Sequence, residues 1–96
     1  MGWIRIIGRD LKDRDRLERA AAAAGLSLDP TDAAPEVVVV DLDREGIPDG
    51  LPEGVKTIGY YSHVNEALAE RAAVAGIDAI PRGRFWSALP DLLTRA

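Results

Sequence analysis

The feature that most constrains this chain is the run Glu36-Val37-Val38-Val39-Val40-Asp41. A strand sends successive side chains to opposite faces, so four consecutive valines make both faces apolar. Such a strand needs cover on both sides, which is the situation of an inner strand in a parallel sheet. Parallel neighbours require long, usually helical, crossovers. The run therefore predicts an α/β domain with helices layered around a sheet. It ends abruptly on Asp41, at the carboxyl end of the strand, where open α/β sheets carry their sites.

The flanking sequence supplies the remaining elements. Trp3 to Ile7 is β-branched and aromatic and is closed by Gly8, as a first strand would be. Asp10, Asp13 and Asp15 then lead an alanine-rich stretch that stops at Gly25. Acids first, helix formers within and glycine after the end predict a helix. Its inward face is Leu17, Ala20, Ala21 and Ala24. Leu26-Ser27-Leu28 reads as a short second strand, and Asp29-Pro30 through Pro35 as a loop. Residues 42–54 hold Gly46, Pro48, Gly50, Pro52 and Gly54, which disfavours a helix of any length. Val55 to Tyr60 is the next strand, and Ser62 is placed to cap a helix that runs through Leu68 and Ala72 to Gly76. Ile77 to Ile80 is a last strand and Phe85 to Arg95 a last helix, with Ser87 as its cap and Pro90 in its first turn. The order is β-α-β-β-β-α-β-α in a single domain of 96 residues.

Composition removes several functions. The net charge of -4 opposes binding to nucleic acid, which needs a basic face, and to anionic membrane surfaces. No apolar run approaches the ~20 residues of a membrane span. The start, Met1-Gly2-Trp3-Ile4-Arg5, lacks the apolar core of a signal peptide, so a cytoplasmic location is expected. The absence of cysteine excludes disulfides and thiolate chemistry, and one histidine cannot make a His-rich metal site. No Walker or dinucleotide glycine motif is present, and no cofactor is expected.

Two segments carry a family resemblance: Val37-Val38-Val39-Val40-Asp41-Leu42-Asp43 and Glu66 to Phe85. The second includes Val74-Ala75-Gly76-Ile77-Asp78-Ala79-Ile80 and Pro81-Arg82-Gly83-Arg84-Phe85. Together they resemble response-regulator receiver domains, in which an apolar strand ends on the phosphate-accepting Asp. The resemblance implies a small flavodoxin-like three-layer sandwich around a five-stranded parallel sheet of order 2-1-3-4-5. The helices after strands 2 and 3 would be missing or reduced. It makes Asp41 the phosphoacceptor equivalent. Receivers place two acids after the first strand for magnesium; here Gly8 and Arg9 fall there, with Asp10 one residue on. The receiver lysine falls on Gly83, between Arg82 and Arg84, and the hydroxyl switch on Tyr61 or Ser62.

These departures make the pocket vestigial, and its expected members are Arg9, Asp10, Asp41, Asp43, Tyr61, Ser62, Arg82 and Gly83. Arg9 is expected to pair with Asp41, a guanidinium standing in for the metal. Asp43 and Glu45 could complete a metal site, but acids in a Gly/Pro loop are usually solvated. Adjacent Ser62 and His63 side chains diverge and form no catalytic pair, and His63 is expected as a surface histidine at a helix start. Phe85, Trp86 and Leu89 are the expected interface, since receivers commonly pair through their last helices. Shortened helices should also bare part of a valine-rich sheet face. The expected role is a phosphorylation-independent interaction or regulatory module, not an enzyme, docking a protein partner or a second copy of itself. The alternatives are an atypical receiver phosphorylated on Asp41, assisted by Asp10 and Asp43, and a small ligand-binding or enzymatic domain.

Overall fold

The computed structural model describes residues 2–62 and 64–94. Its elements in chain order are β1 (Ile4–Ile7), α1 (Leu11–Ala23), β2 (Val37–Asp41), α2 (Leu42–Glu45), β3 (Lys56–Tyr61), α3 (Glu66–Val74), β4 (Asp78–Pro81) and α4 (Arg82–Thr94). The strands form one parallel sheet in the order β1-β2-β3-β4. Val37 to Val40 of β2 pair with Ile4 to Ile7 on one side and with Lys56 to Gly59 on the other.

The valine run does what its pattern demands. All four valines are fully buried. Val37 and Val39 point into a core built with Leu17 and Ala21 of α1 and Phe85, Leu89 and Leu93 of α4. Val38 and Val40 point into a second core with Leu42, Leu68, Ala72 and Ile77. Helices therefore cover both faces, α1 and α4 on one, α2 and α3 on the other. The architecture is α/β and is compatible with a flavodoxin-like sandwich.

The sheet has four strands among the described residues, not five. Leu26-Ser27-Leu28 contributes one isolated bridge, Trp3 to Ser27, on the outer side of β1. The segment cannot continue, because Asp29-Pro30 follows at once and proline brings no N–H. The bridge still explains the layers. Parallel crossovers are right-handed, so a direct β1–β2 crossover would put α1 on the face of α2 and α3. The chain instead passes through the outer bridge before returning to β2, and α1 lies on the opposite face.

Other sequence expectations need correction. A single helical turn, α2, forms in the Gly/Pro-rich stretch before Gly46 ends it. The rest of that stretch does not leave the sheet bare: Ile47, Leu51 and Val55 pack onto the second core. Ser62 does not cap α3, whose N-cap is Asn65. Ser87 does not start α4; the helix begins directly after β4 and carries Pro90 in its interior. Close packing also uses a missing side chain. A Cβ on Gly59 would lie 2.5 Å from Cδ1 of Leu42, so glycine there lets α2 press onto the sheet.

Candidate functional site

The carboxyl ends of the strands bring a polar cluster together on the α1–α4 side. Alternation along β3 decides which tyrosine takes part. Ile58 and Tyr60 face the first core, whereas Tyr61 packs against the second. Tyr60, 1% exposed, stacks with Phe85 and Trp86 at ring-centroid distances of 4.8 and 5.4 Å. Its hydroxyl donates to Oδ2 of Asp13 at 3.2 Å.

Asp13 is held by the start of α1. Asp10 is the N-cap, and its Oδ1 accepts the Asp13 backbone N–H at 3.0 Å. One turn before Leu17 on the inward stripe, Asp13 is 3% exposed. A carboxylate so buried requires a cation or several donors. Arg82, the residue that follows β4, supplies the cation: its Nη2 lies 2.5 Å from Oδ2 of Asp13. The same guanidinium stands 5.0 Å from the Tyr60 ring centroid, within cation–π range. Burial works against its charge, but Asp13, Tyr60 and Asp41 together hold the guanidinium pKa above its usual value. The Tyr60 hydroxyl is pushed up by burial and by the carboxylates of Asp41 and Asp13.

Asp41 occupies the middle of the cluster with 1% exposure. Its Oδ1 accepts the backbone N–H of Arg44 at 3.4 Å, so it is the N-cap of α2. Its Oδ2 makes no hydrogen bond, and the nearest cation is Nε of Arg44 at 3.8 Å. Burial raises the Asp41 carboxyl above the ordinary range, against the pull of the Arg44 N–H and of Arg82. Arg44 also reaches Oδ2 of Asp10 at 3.3 Å. The Asp13 N–H lowers the Asp10 pKa despite some desolvation, and Arg44 adds to the lowering. Gly8 closes the cluster from β1; a Cβ there would sit 3.2 Å from that of Asp41.

The expected members are only partly brought together. Asp10, Asp41 and Arg82 meet; Arg9 does not join them. Its Nε pairs with Glu45 at 3.1 Å on the surface, and the guanidinium beside Asp41 belongs to Arg44. Asp43 points the other way and accepts the Ser62 backbone N–H at 2.7 Å, tying α2 to the end of β3. Ser62 thus enters through its backbone. Tyr61 is replaced by Tyr60, and the cation at the last strand end is Arg82, while Gly83 and Arg84 are exposed on α4. His63 lies outside the described residues. Phe85 and Leu89 are core residues, 0% and 3% exposed, and are unavailable as an interface. Trp86 is half-buried against the first core and is covered by Arg16, whose guanidinium lies 4.2 Å from the ring centroid.

The residues that sequence reading missed are Asp13, Tyr60 and Arg44. Asp13 had a signal, an acid on the apolar stripe one turn before Leu17. Tyr60 had one too, its even spacing from Ile58. Arg44 had none, because its role depends on a turn that the glycines and prolines obscured.

The arrangement is closed on itself. The three carboxylates are met by two guanidiniums and one phenol. Among the described residues no group of three or more acidic, histidine or cysteine side chains is arranged to hold a metal ion. Cavities of about 320 and 280 Å³ lie along α1 and the outer side of β1, and another of about 210 Å³ lies at the opposite end of β3. None of these touches Asp41. No family model, curated protein or solved structure matches this chain.

Proposed function

We propose that this chain is a phosphorylation-independent, receiver-like module that docks a partner protein, and that its strand-end cluster is a structural lock. The observation that carries the reading is the state of Asp41. It is 1% exposed, one oxygen caps α2, and the neighbouring acids are already neutralised by Arg44 and Arg82. Phosphoryl transfer needs an approachable acceptor and neutralisation of the charge that develops on the transferring group. Here the cations are engaged with the chain's own carboxylates. Self-association loses the support expected for it, because the sheet face is covered and Phe85 and Leu89 are interior. A partner of different sequence is therefore the proposed ligand.

A second reading, an atypical receiver, is favoured by two observations. Oδ2 of Asp41 makes no hydrogen bond, and Arg82 occupies the end of the last strand, where receivers carry a cation. An NMR titration with magnesium and beryllofluoride, which mimics an aspartyl phosphate, separates the two. The lock predicts no saturable shift at Asp41, Tyr60 or Arg82. Saturable shifts that vanish in Asp41→Ala would make the chain a working receiver.

A further inference from the structure

The outer edge of β1 is left half-paired. Side chains and backbone groups at positions i and i+2 of a strand share a direction. Gly2 and Ile4 direct theirs outward: the Ser27 N–H bonds to the Gly2 carbonyl at 3.2 Å, and the Ile4 N–H to the Ser27 carbonyl at 2.8 Å. There the pairing stops. The Asp29 N–H turns back to the Ser27 hydroxyl at 3.0 Å, and Pro30 has no N–H to offer. The loop is then carried away toward β2, pinned by the bond from Trp3 Nε1 to the Ala33 carbonyl at 2.9 Å. The Ile4 carbonyl and both backbone groups of Ile6 consequently face outward with no partner strand among the described residues.

This open edge borders a groove of about 280 Å³ lined by Trp3, Ile4, Arg5, Ile6, Arg14, Leu28 and Pro30. Arg5 is exposed and pairs with no acid among the described residues, and Arg14 spends one N–H on the neutral carbonyl of Gly8 at 3.3 Å. No acid lines the groove, although the whole chain carries a net charge of -4. An apolar floor on the α1 side, three waiting backbone groups and the exposed guanidinium of Arg5 on the opposite face match one occupant.

We infer that the outer edge of β1 is a strand-addition site for an extended, acidic segment of a partner protein. The backbone of the segment would pair with Ile4 and Ile6, its apolar side chains would fill the groove beside Leu28 and Pro30 on the α1 side, and the carboxylates alternating with them would meet Arg5 on the opposite face of the sheet. A second copy of this chain fits less well. Antiparallel pairing of two β1 edges would bring Arg5 of one copy close to Arg5 of the other on the same face, and like charges across paired strands repel. The inference gives a surface to the docking role proposed above, and it does not depend on the chemistry of Asp41.

The test is an NMR titration of the intact chain with a short, capped peptide alternating valine and glutamate, beside the matched valine–lysine peptide. The glutamate peptide should shift the amides of Ile4, Ile6 and Ile7 saturably, and added salt should weaken it. Arg5→Glu, an exposed change outside both cores, should weaken it roughly tenfold, with the fold checked by circular dichroism; one ion pair of about 1.4 kcal/mol is a tenfold effect. Equal binding of both peptides, shifts confined to other surfaces, or no shift at millimolar peptide would overturn the proposal. So would a concentration-dependent dimer that broadens the β1 amides, which would assign the edge to a second copy. The beryllofluoride titration reads Asp41 and this one reads β1, so each can fail without the other.

Discussion

Replacing Arg82 by methionine tests the lock directly. Methionine keeps most of the apolar stem and removes the charged guanidinium that lies over Tyr60. Asp13 would then keep only the Tyr60 hydroxyl as a side-chain donor, with its own side chain 5% exposed. Removing one partner of a fully buried ion pair costs about 3–5 kcal/mol, because the other charge is left stranded. The Arg82 side chain is 40% exposed, so water can enter the vacated space and shield Asp13. That lowers the expectation to about 2 kcal/mol, and loss of the cation–π contact adds roughly 0.5 kcal/mol. A domain of this size shifts by roughly 4–8 °C per kcal/mol, so the melting temperature should fall by about 10–20 °C. Urea unfolding followed by tryptophan fluorescence measures the loss. Asp13→Asn and the double substitution complete a cycle, with a coupling of about 1–3 kcal/mol expected. An Arg82→Met variant within about 0.5 kcal/mol of the parent, or strictly additive substitutions, would show that the pair holds nothing together.

Two further outcomes follow from the same packing. Gly59→Ala would set a methyl 2.5 Å from Leu42 Cδ1 and 2.7 Å from its Cγ, and overpacking of this kind costs about 1–3 kcal/mol; in a Leu42→Ala background only Ile77 Cγ2, at 3.1 Å, still has to give, so the added methyl should cost clearly less, and an equal cost in both would refute the contact. For Asp41, burial raises the folded pKa above the ordinary 3.8, so the folded state holds this proton more tightly. Stability is therefore lost as pH rises from 3.8 to the folded value, and the full penalty persists above it. Asp10 has the opposite sign: its lowered pKa contributes stability above 3.8 that disappears as pH falls through the folded value. Asp41→Asn has no proton to lose, so it should gain stability relative to the parent as pH rises from acid to neutral. It should also flatten the pH profile above 3.8, whereas Asp10→Asn should flatten it below; urea midpoints across the acid range distinguish them, and an Asp41→Asn profile parallel to the parent would refute the assignment.

The valine run, the alanine-rich helix and the glycines at 25 and 76 were enough to determine the layered α/β plan, because alternation and helical periodicity are local properties written in consecutive residues. Both glycines take the positive φ values, 77° and 86°, that end helices. Asp41 at a strand end was legible for the same reason. Which charged groups would meet was not. Asp13 and Arg82 are 69 positions apart, and Arg44 reaches Asp10 and Asp41 only because one helical turn forms before Gly46. Arg9 stands where a pairing argument along the chain would put the cation, yet the turn after β1 sends it to the surface toward Glu45. The fate of Leu26-Ser27-Leu28 was likewise beyond local reading. Its alternation allows a strand, but pairing needs donors in register, and Asp29-Pro30 removes them after one bridge. Patterns along the chain thus decided which faces are apolar, while the convergence of separate strand ends decided which charges neutralise one another and which edge stays open.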